Sequence, residues 1–426
     1  MDSAPADRDP SVAEPPPGQP GVISRIRHGV PGQTRTMLPE GEDWWRALPE
    51  DFATRPERFD LGRKDLATVA ATSASDVLVR TFAAYAVGTL AFPLGFHPLE
   101  LRRSLKDLDF YAPMAESGDA SRFFEPPPPG IRIRRGRSDM YPRFDPPGGR
   151  VETLRWDSPF MPRNPRLHKK YLRAKGNRTA HARYWRHDDG PRPTLIAIHG
   201  FSADFYLVNE WFFALPWFYR MGCDVVLFTL PFHGRRQPLG SPFSGHGFFA
   251  GGASHINEAV AQAVMDFRVL VDWLEAQGVS QVGATGVSLG GYTTAMLACA
   301  EPRLAFAIPN VPVVSMPDLV LEWEPLGSAV RAGLKLAGIS LEQARHLLAV
   351  ANPLSYRPAL EKDRLMIVGG VGDRLAPPKH SRLLWEHWGR PKLHWFPGSH
   401  LLHLDRGDYL EAQAMFLRRL DFLPDT

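Results

Sequence analysis

The chain has 426 residues, a length that predicts either a large α/β domain with an extension or two domains. Its composition of 44% hydrophobic and 23% charged residues excludes a wholly disordered or collagen-like protein. The net charge of +4 conceals a basic segment from Glu100 to Arg186, with twenty Lys and Arg against ten Asp and Glu. These charges are scattered among prolines and match no nucleic-acid-binding motif, so we expect a solvated surface and no nucleic-acid partner.

Proline clusters divide the first 149 residues. The chain contains 41 prolines, with concentrations in residues 1–49, at Pro126 to Pro129, and at Pro146 and Pro147. We predict a disordered proline-rich tail over 1–49, followed over 50–149 by a helical extension and a proline-rich, largely extended connection. The acidic start has no apolar stretch, so no signal peptide is predicted.

A helical stretch is predicted from about Asp65 to Leu108. Its middle, Thr81 to Phe96, holds sixteen uncharged residues. That is shorter than the roughly 20 residues needed to cross a bilayer, and it includes Pro93. Two interpretations remain: a brace packed on the main domain, or a helix in peripheral contact with a membrane surface.

A regular alternation of strands and helices begins after Gly149. Residues 151–160 and 179–187 are predicted to pair as antiparallel strands, and apolar strands follow at 194–199 and 224–230. A helix with Ser254 as its N-cap is predicted to run to Gln277. Further alternation to the C-terminus predicts an α/β domain over 150–424, with a mostly parallel sheet covered by helices on both faces.

Ser288 is the candidate nucleophile. It is the centre of Gly286-Val287-Ser288-Leu289-Gly290, directly after a predicted strand and before a predicted helix. A tight turn there lifts the serine above the sheet edge, and it needs small residues two positions before and after. The amides at the start of the following helix favour negative charge at the same place.

A serine hydroxyl needs a base to take its proton and a carboxylate to orient that base. Asp373 follows one predicted strand in Gly-Asp-Arg-Leu, and His400 follows the next in Gly-Ser-His. The order Ser, Asp, His, each after its own strand, is the order that this architecture requires. His403 is the alternative base, and the glycine-serine turn before His400 favours His400.

The oxyanion that forms on a substrate carbonyl also needs hydrogen-bond donors. The turn His199-Gly200-Phe201 after the strand at 194–199 predicts the amide of Phe201 as one donor, and the amide of Leu289 as the second. We expect His199 to hold this turn and not to transfer protons.

The chain resembles the α/β-hydrolase superfamily over roughly residues 150 to 424. The motifs that carry the resemblance are HGF at 199, LPFHGRRQP at 230, GVSLGG at 286, GDRLAPP at 372 and GSHLLH at 398. The paired early strands and the FHGRR loop are similar to the branch that includes α/β-hydrolase domain-containing protein eighteen. The resemblance implies an α/β-hydrolase fold with a helical lid at about 312–362, and the branch suggests hydrolysis of acyl lipids.

Three further residues are candidates for substrate binding. Arg235 and Arg236 follow a predicted strand near the catalytic edge and could bind a phosphate or carboxylate; the alternative is a pair of surface-loop arginines. Trp211 belongs to an aromatic segment at 211–218 that, with Phe248 and Phe249, could line an apolar acyl pocket. Ordinary packing against the sheet explains these aromatic residues equally well.

These features predict a serine hydrolase that cleaves carboxylic esters of small molecules or lipids through an acyl-enzyme. Thioesterase and amidase activity on the same residues, or a non-catalytic ligand-binding homologue, remain open. The chemistry requires no metal and no organic cofactor. The two cysteines, Cys223 and Cys299, lie in apolar surroundings and favour a reducing cytoplasm, with membrane association through residues 65–108 possible. The oligomeric state is not predicted.

Overall fold

The computed structural model describes residues 26–28, 38–39, 41–137, 144–403 and 406–424. Two short strands, β1 (Arg27–His28) and β2 (Phe59–Asp60), pair with each other near the start. The other described strands form one sheet: β3 (Arg134–Arg137), β4 (Gly149–Asp157), β5 (Thr179–His187), β6 (Thr194–Ile198), β7 (Asp224–Phe228), β8 (Val282–Val287), β9 (Ala307–Asn310), β10 (Met366–Gly370) and β11 (Lys392–Phe396).

The order of strands across the sheet is β11-β10-β9-β8-β6-β7-β5-β4-β3. Strands β6 to β11 are parallel to one another, whereas β3, β4 and β5 form an antiparallel end that joins β7. The predicted antiparallel pairing of the early strands is confirmed, and β3 forms the outer edge beside them. Because the carboxyl ends of parallel strands meet at one edge, the loops after β6, β8, β10 and β11 share that edge.

The described helices connect these strands or precede them. They are α1 (Trp44–Ala47), α2 (Arg63–Leu90), α3 (Phe92–Gly95), α4 (Pro98–Lys106), α5 (Leu108–Glu116), α6 (His168–Tyr171), α7 (Tyr206–Phe212), α8 (Leu215–Arg220), α9 (His246–Phe249), α10 (Ala253–Ala276), α11 (Leu289–Ala300), α12 (Met316–Glu322), α13 (Leu326–Ala337), α14 (Leu341–Leu347), α15 (Pro378–His387) and α16 (Arg406–Arg418). The N-cap of α10 is Gly252 and not Ser254, whose hydroxyl instead donates to Asp107 Oδ2 at 2.6 Å.

Apolar cores lie on both faces of the sheet, which explains the continuous apolar strands. Successive residues of β6 alternate between them, with Ile196 and Ile198 in one core and Leu195 and Ala197 in the other. Helices α10, α11 and α15 contribute to the first core, and α8 and α16 contribute to the second. The predicted mostly parallel α/β sheet with helices on both faces is confirmed.

The N-terminal extension packs into the first of these cores. The indoles of Trp44 and Trp45 on α1 are buried, and Trp44 Nε1 donates to Ser355 Oγ at 2.8 Å. The predicted disorder over 1–49 is therefore wrong for α1, because these two large apolar side chains are removed from water. Most of that predicted tail lies outside the described residues. Phe123 and Phe124 are buried too, so the proline-rich connection is not wholly a surface segment.

Residues 312–362, predicted as a lid, contain helices α12, α13 and α14 and pack against α1, α2, α4 and α5. The guanidinium of Arg345 forms a buried ion pair with Asp318 at 2.5 Å and donates to the carbonyls of Leu48 and Pro49. The insertion and the extension are thus in direct contact. None of the helices in the described ranges has both the length and the apolarity to cross a membrane.

Candidate active site

Ser288 lies on a strained turn between β8 and α11. Its backbone has φ 58° and ψ −113°, a conformation that residues with a side chain rarely adopt. A Cβ at Gly290 would lie 2.0 Å from the carbonyl oxygen of Ile198, and a Cβ at Gly286 would lie 2.3 Å from that of Gly290. The two glycines are therefore needed for the turn to pack against β6 and α11.

Backbone and side-chain hydrogen bonds hold this turn from β9. The amide of Ser288 donates to the carbonyl of Asn310 at 3.1 Å. The side-chain amide of Asn310 donates to Thr285 Oγ1 at 2.8 Å and to the carbonyl of Gly286 at 3.2 Å. Asn310 is buried, so it fixes the strand and the turn from inside the sheet.

Asp373 and His400 are brought together on the loops after β10 and β11. Asp373 Oδ2 accepts a hydrogen bond from His400 Nδ1 at 2.6 Å, and its Oδ1 accepts from the amides of Leu375 and Ala376 at 2.9 and 2.7 Å. With Nδ1 bound to the carboxylate, Nε2 is the ring nitrogen left to exchange a proton. Within the described chain, no hydrogen bond joins this ring to Ser288 Oγ; such bonds are often long before substrate binds.

The pKa values of the buried pair reflect its surroundings. Burial raises the pKa of Asp373, against the charge and hydrogen bond of His400, which lower it. Burial lowers the pKa of His400, but the charge and hydrogen bond of Asp373 and the charge of Asp76 raise it, and the net result lies above the ordinary value. His400 is thus a stronger base than a free histidine.

The alternative base, His403, occupies a different environment. Its ring packs against Phe396 at a centroid distance of 4.3 Å and against Phe212 at 4.7 Å. It is His400, not His403, that is joined to Asp373, so the geometry favours His400 as the base.

The turn after β6 lies directly against Ser288. A Cβ at Gly200 would lie 3.4 Å from Ser288 Cβ. In the described structure, the amides of Phe201 and Leu289 donate to no other group, and Leu289 is the first residue of α11. Both amides are therefore available to an oxyanion at this edge.

His199 holds this turn. Its Nε2 accepts from the amide of Leu230 at 3.1 Å, which makes Nδ1 the protonated nitrogen that donates to the carbonyl of Gly200 at 2.8 Å. Burial lowers the pKa of His199, in agreement with a neutral ring.

The predicted role of Arg236 in substrate binding is wrong. Its guanidinium is fully buried, pairs with Asp266 at 2.6 Å, and donates to the carbonyls of Thr229 and Asn177. The neighbouring side chain of Arg235 is exposed, and a role in substrate binding stays a prediction for it.

Trp211 is half exposed on α7. It lines a surface cleft of about 510 Å³ together with Phe144, Trp217, Arg220 and Leu410. Ser288, Asp373 and His400 are not part of this lining. The neighbouring Phe213 and Phe218 are buried in the second core of the sheet. This agrees with the alternative that aromatic residues of this segment pack against the sheet. Substrate binding by Trp211 stays a prediction.

Asp76 is a site residue that sequence reasoning missed. It lies on α2, is fully buried, and accepts from the amide of His400 at 2.8 Å and from that of Arg374 at 3.0 Å. The signal is a single charged residue between Leu66 and Val79 of the predicted helix. Its partner lies 324 residues away, and spacing along the chain gives no means to pair the two.

The comparisons with known proteins agree with this fold. Residues 186–320 match the family model described as alpha/beta hydrolase domain containing 18. The solved structure of an acetyl xylan esterase from Paenibacillus sp. R4 aligns with a TM-score of 0.50 and 16% identity, covering 75% of this chain and 95% of that one. The chain belongs to the α/β-hydrolase superfamily.

Two relatives extend the match beyond the region of the family model. Uncharacterized protein MT2702 and uncharacterized protein Rv2627c, from two strains of Mycobacterium tuberculosis, are each 30% identical over 316 residues. These alignments cover 69% of this chain and 68% of each relative.

Proposed function

We propose that the protein is a serine hydrolase that cleaves carboxylic esters through an acyl-enzyme. The observation that carries the proposal is the bonded pair of Asp373 and His400 at the same sheet edge as the strained Ser288. The solved structure that shares the fold is described as an acetyl xylan esterase, and an ester is also the substrate class proposed here.

In the first half of the reaction, Ser288 Oγ attacks the ester carbonyl as His400 Nε2 takes its proton. The new C–O bond places negative charge on the carbonyl oxygen, where the amides of Phe201 and Leu289 donate. Collapse breaks the bond to the alkoxy group, which leaves as the alcohol with the proton from His400. Asp373 orients His400 and stabilises the imidazolium.

In the second half, His400 takes a proton from water as the water oxygen attacks the acyl-enzyme. The second tetrahedral intermediate releases the carboxylic acid, and Ser288 Oγ recovers its proton from His400. Every proton and electron pair in both halves is accounted for by the substrate, water and these side chains.

An apolar acyl group fits the surroundings of the oxyanion turn. The ring of Phe201 packs against Phe249 at 4.9 Å and against Phe243 at 6.0 Å between centroids. These rings offer apolar surface close to the carbonyl that the amides would bind. We therefore propose that the substrate is an ester with an apolar acyl group and not one with a charged acyl group. Acyl lipids are the more specific proposal within this class.

Labelling with a fluorophosphonate tests the nucleophile. The full chain is expected to incorporate the probe at Ser288, and Ser288→Ala is expected to incorporate none. Ser280→Ala, at an exposed serine before β8, is the matched serine control and should label like wild type. His400→Ala should lower ester hydrolysis by a factor of about 1,000 or more, and His403→Ala should have a far smaller effect. Folded wild-type protein that fails to label would support a non-catalytic ligand-binding protein.

A series of p-nitrophenyl esters of increasing acyl length, assayed beside thioester and amide analogues, tests the substrate class. We expect kcat/KM to rise with acyl length and to be highest for the oxygen esters. Hydrolysis confined to the shortest acyl groups would end the acyl-lipid suggestion while leaving the esterase proposal intact.

Peripheral membrane contact through α2 is supported by an exposed apolar face. Leu78, Phe82 and Tyr85, at helical spacing, are 72%, 78% and 57% exposed. Basic residues Arg63 and Lys64 are exposed at the start of the same helix. Apolar side chains with flanking positive charge fit an anionic lipid surface.

Co-sedimentation with vesicles tests this contact. Wild-type protein should sediment with vesicles containing phosphatidylserine, and the triple variant Leu78→Gln, Phe82→Gln, Tyr85→Gln should not. Leu239→Gln, which changes an exposed leucine that is not part of α2, is the control and should sediment like wild type. Equal sedimentation of the triple variant and the control would contradict the proposal.

We propose a reducing cytoplasmic location on the basis of the two cysteines. Cys223 and Cys299 are both free and buried, and burial raises the pKa of both thiols. Fractionation of cells that express the full chain with a fluorescent tag tests the location, and recovery outside the cytoplasm would contradict it.

A further inference from the structure

The contacts of Asp76 join α2 to both loops that carry the Asp373 and His400 pair. Its Oδ2 accepts from the amide of His400 at 2.8 Å and from that of Arg374 at 3.0 Å, while Oδ1 accepts from the amide of Leu401 at 3.4 Å. Arg374 directly follows Asp373 in the chain. One carboxylate therefore ties together the loop after β10 and the loop after β11.

Neighbouring residues on the same face of α2 contact the same loop. Ser73 Oγ donates to the carbonyl of Gly372 at 2.7 Å, and Arg80 Nη1 donates to the carbonyl of Arg374 at 3.1 Å. Ser73, Asp76 and Arg80 are three and four residues apart, the spacing of one helix face. This face of α2 therefore bonds to the residues directly before and after Asp373.

Holding the two loops together by hydrogen bonds does not require a charged side chain at position 76. The side chain is fully buried, and within the described residues it forms no ion pair. A buried carboxylate without a cation is costly, even with amide donors, and a neutral side chain could accept some of these hydrogen bonds at lower cost. Asp76 accepts from the amide of His400, and a carboxylate at this position favours the imidazolium form of that residue.

We infer that Asp76 is a positioning residue, which fixes the loops of Asp373 and His400 and electrostatically supports the protonated form of His400; the inference rests on the proposed function. Asp373 faces His400 from the loop after β10, and Asp76 faces it from α2. The guanidinium of Arg80, on the same helix, donates to the carbonyl of Arg374. Both carboxylates raise the pKa of His400.

The pH dependence of kcat/KM for a p-nitrophenyl ester tests the inference. The acidic limb reports protonation of the base in the free enzyme, since only neutral imidazole accepts the serine proton. Asp76→Asn removes a charge that favours the imidazolium, so the limb should move to lower pH. Its kcat should also fall about tenfold as the two loops loosen, with a smaller change in KM.

Three matched variants separate charge from packing. Asp76→Glu keeps the charge and should restore the wild-type limb. Ser73→Ala removes a neutral tie to the same loop and should leave the limb in place. Asp65→Asn removes the same charge from α2 about 16 Å away along the helix axis and should behave as wild type. A limb for Asp76→Asn that coincides with wild type, or one that Ser73→Ala reproduces, would overturn the inference.

Separate measurements distinguish a misfolded variant, a failure of the proposed function and a failure of the inference about Asp76. Circular dichroism and the Tm establish that each variant is folded, and Asp76→Ser replaces Asp76→Asn if the asparagine variant does not fold. If wild-type protein neither labels nor hydrolyses esters, the proposed function fails on its own. An NMR titration of the His400 ring in wild type and the Asp76 variant then still tests the inference, and equal pKa values would refute it.

Discussion

Ser288 occupies a backbone conformation that costs of the order of 1–3 kcal/mol for a residue with a side chain. The structure maintains it by packing that leaves the turn no alternative: backbone atoms of β6 lie where a side chain at Gly290 would be. Asn310 and the amide of Ser288 add hydrogen bonds from β9. Strain held by such contacts is expected where a side chain must be presented in a fixed orientation.

Gly290→Ala is expected to disturb this turn. The new Cβ would lie 2.0 Å from the carbonyl oxygen of Ile198, a backbone atom that cannot rotate away. We expect a loss of about 1–3 kcal/mol in the free energy of unfolding and a fluorophosphonate labelling rate at least about tenfold lower. Urea unfolding and labelling kinetics provide the measurements. Gly136→Ala, where a Cβ would meet nothing within 4 Å, is the control, and equal behaviour of the two variants would contradict the argument.

The individual residues show how much of the candidate site can be predicted from the amino-acid sequence. The positions of Ser288, Asp373 and His400 could be predicted because each residue follows its own strand in a short local pattern; their catalytic roles stay a proposal. Asp76 was missed and Arg236 was misassigned, since their partners lie 324 and 30 residues away in the chain. No local sequence pattern indicates that a residue on α2 bonds to two loops about 300 residues further along the chain.

At the level of elements, the extension and the insertion at 312–362 stabilise each other. The guanidinium of Arg345 on α14 bonds to Asp318 on α12 and to two carbonyls that follow α1. The indole of Trp45 on α1 stacks on His346 at 4.5 Å. The strands were predictable because both faces of the sheet are apolar, but this assembly of short helices was not, because its contacts join segments distant in the chain.

Arg345→Ala is expected to cost about 3–5 kcal/mol of stability, because it leaves the buried carboxylate of Asp318 without its positively charged partner. The side chains of the pair are only 2% and 0% exposed. Arg331→Ala, which breaks the exposed pair with Glu324 in the same insertion, should cost only about 0–1 kcal/mol. Urea unfolding compares the two, and similar losses would contradict a stabilising role for the buried guanidinium of Arg345, which bonds to Asp318 and to the carbonyls of Leu48 and Pro49.

At the scale of the whole molecule, the boundary near residue 150 separates two stretches of sequence but not two cores. Tyr111, Phe123 and Trp44 from the extension belong to the same apolar cluster as Ile196 and Tyr292 of the sheet and α11. Proline content marked the boundary in the sequence, and the shared core shows that both sides of it fold against each other. We propose that residues 50–149 are a structural part of the hydrolase and not a separate module.

This shared core predicts that residues 150–426 do not form an active protein alone. Without the extension, α10, α11 and the insertion would expose the apolar surface that α1, α2 and α5 cover, and Asp76 would be absent from the loops of Asp373 and His400. We expect the shortened chain to bind the dye ANS strongly, as exposed apolar surface does, and to label with fluorophosphonate far more slowly than the full chain. Residues 1–149 supplied as a separate polypeptide should restore labelling in part, and Asp76→Asn in that polypeptide should restore less. A shortened chain that labels at the full-chain rate would show instead that the domain beginning near residue 150 is catalytically complete.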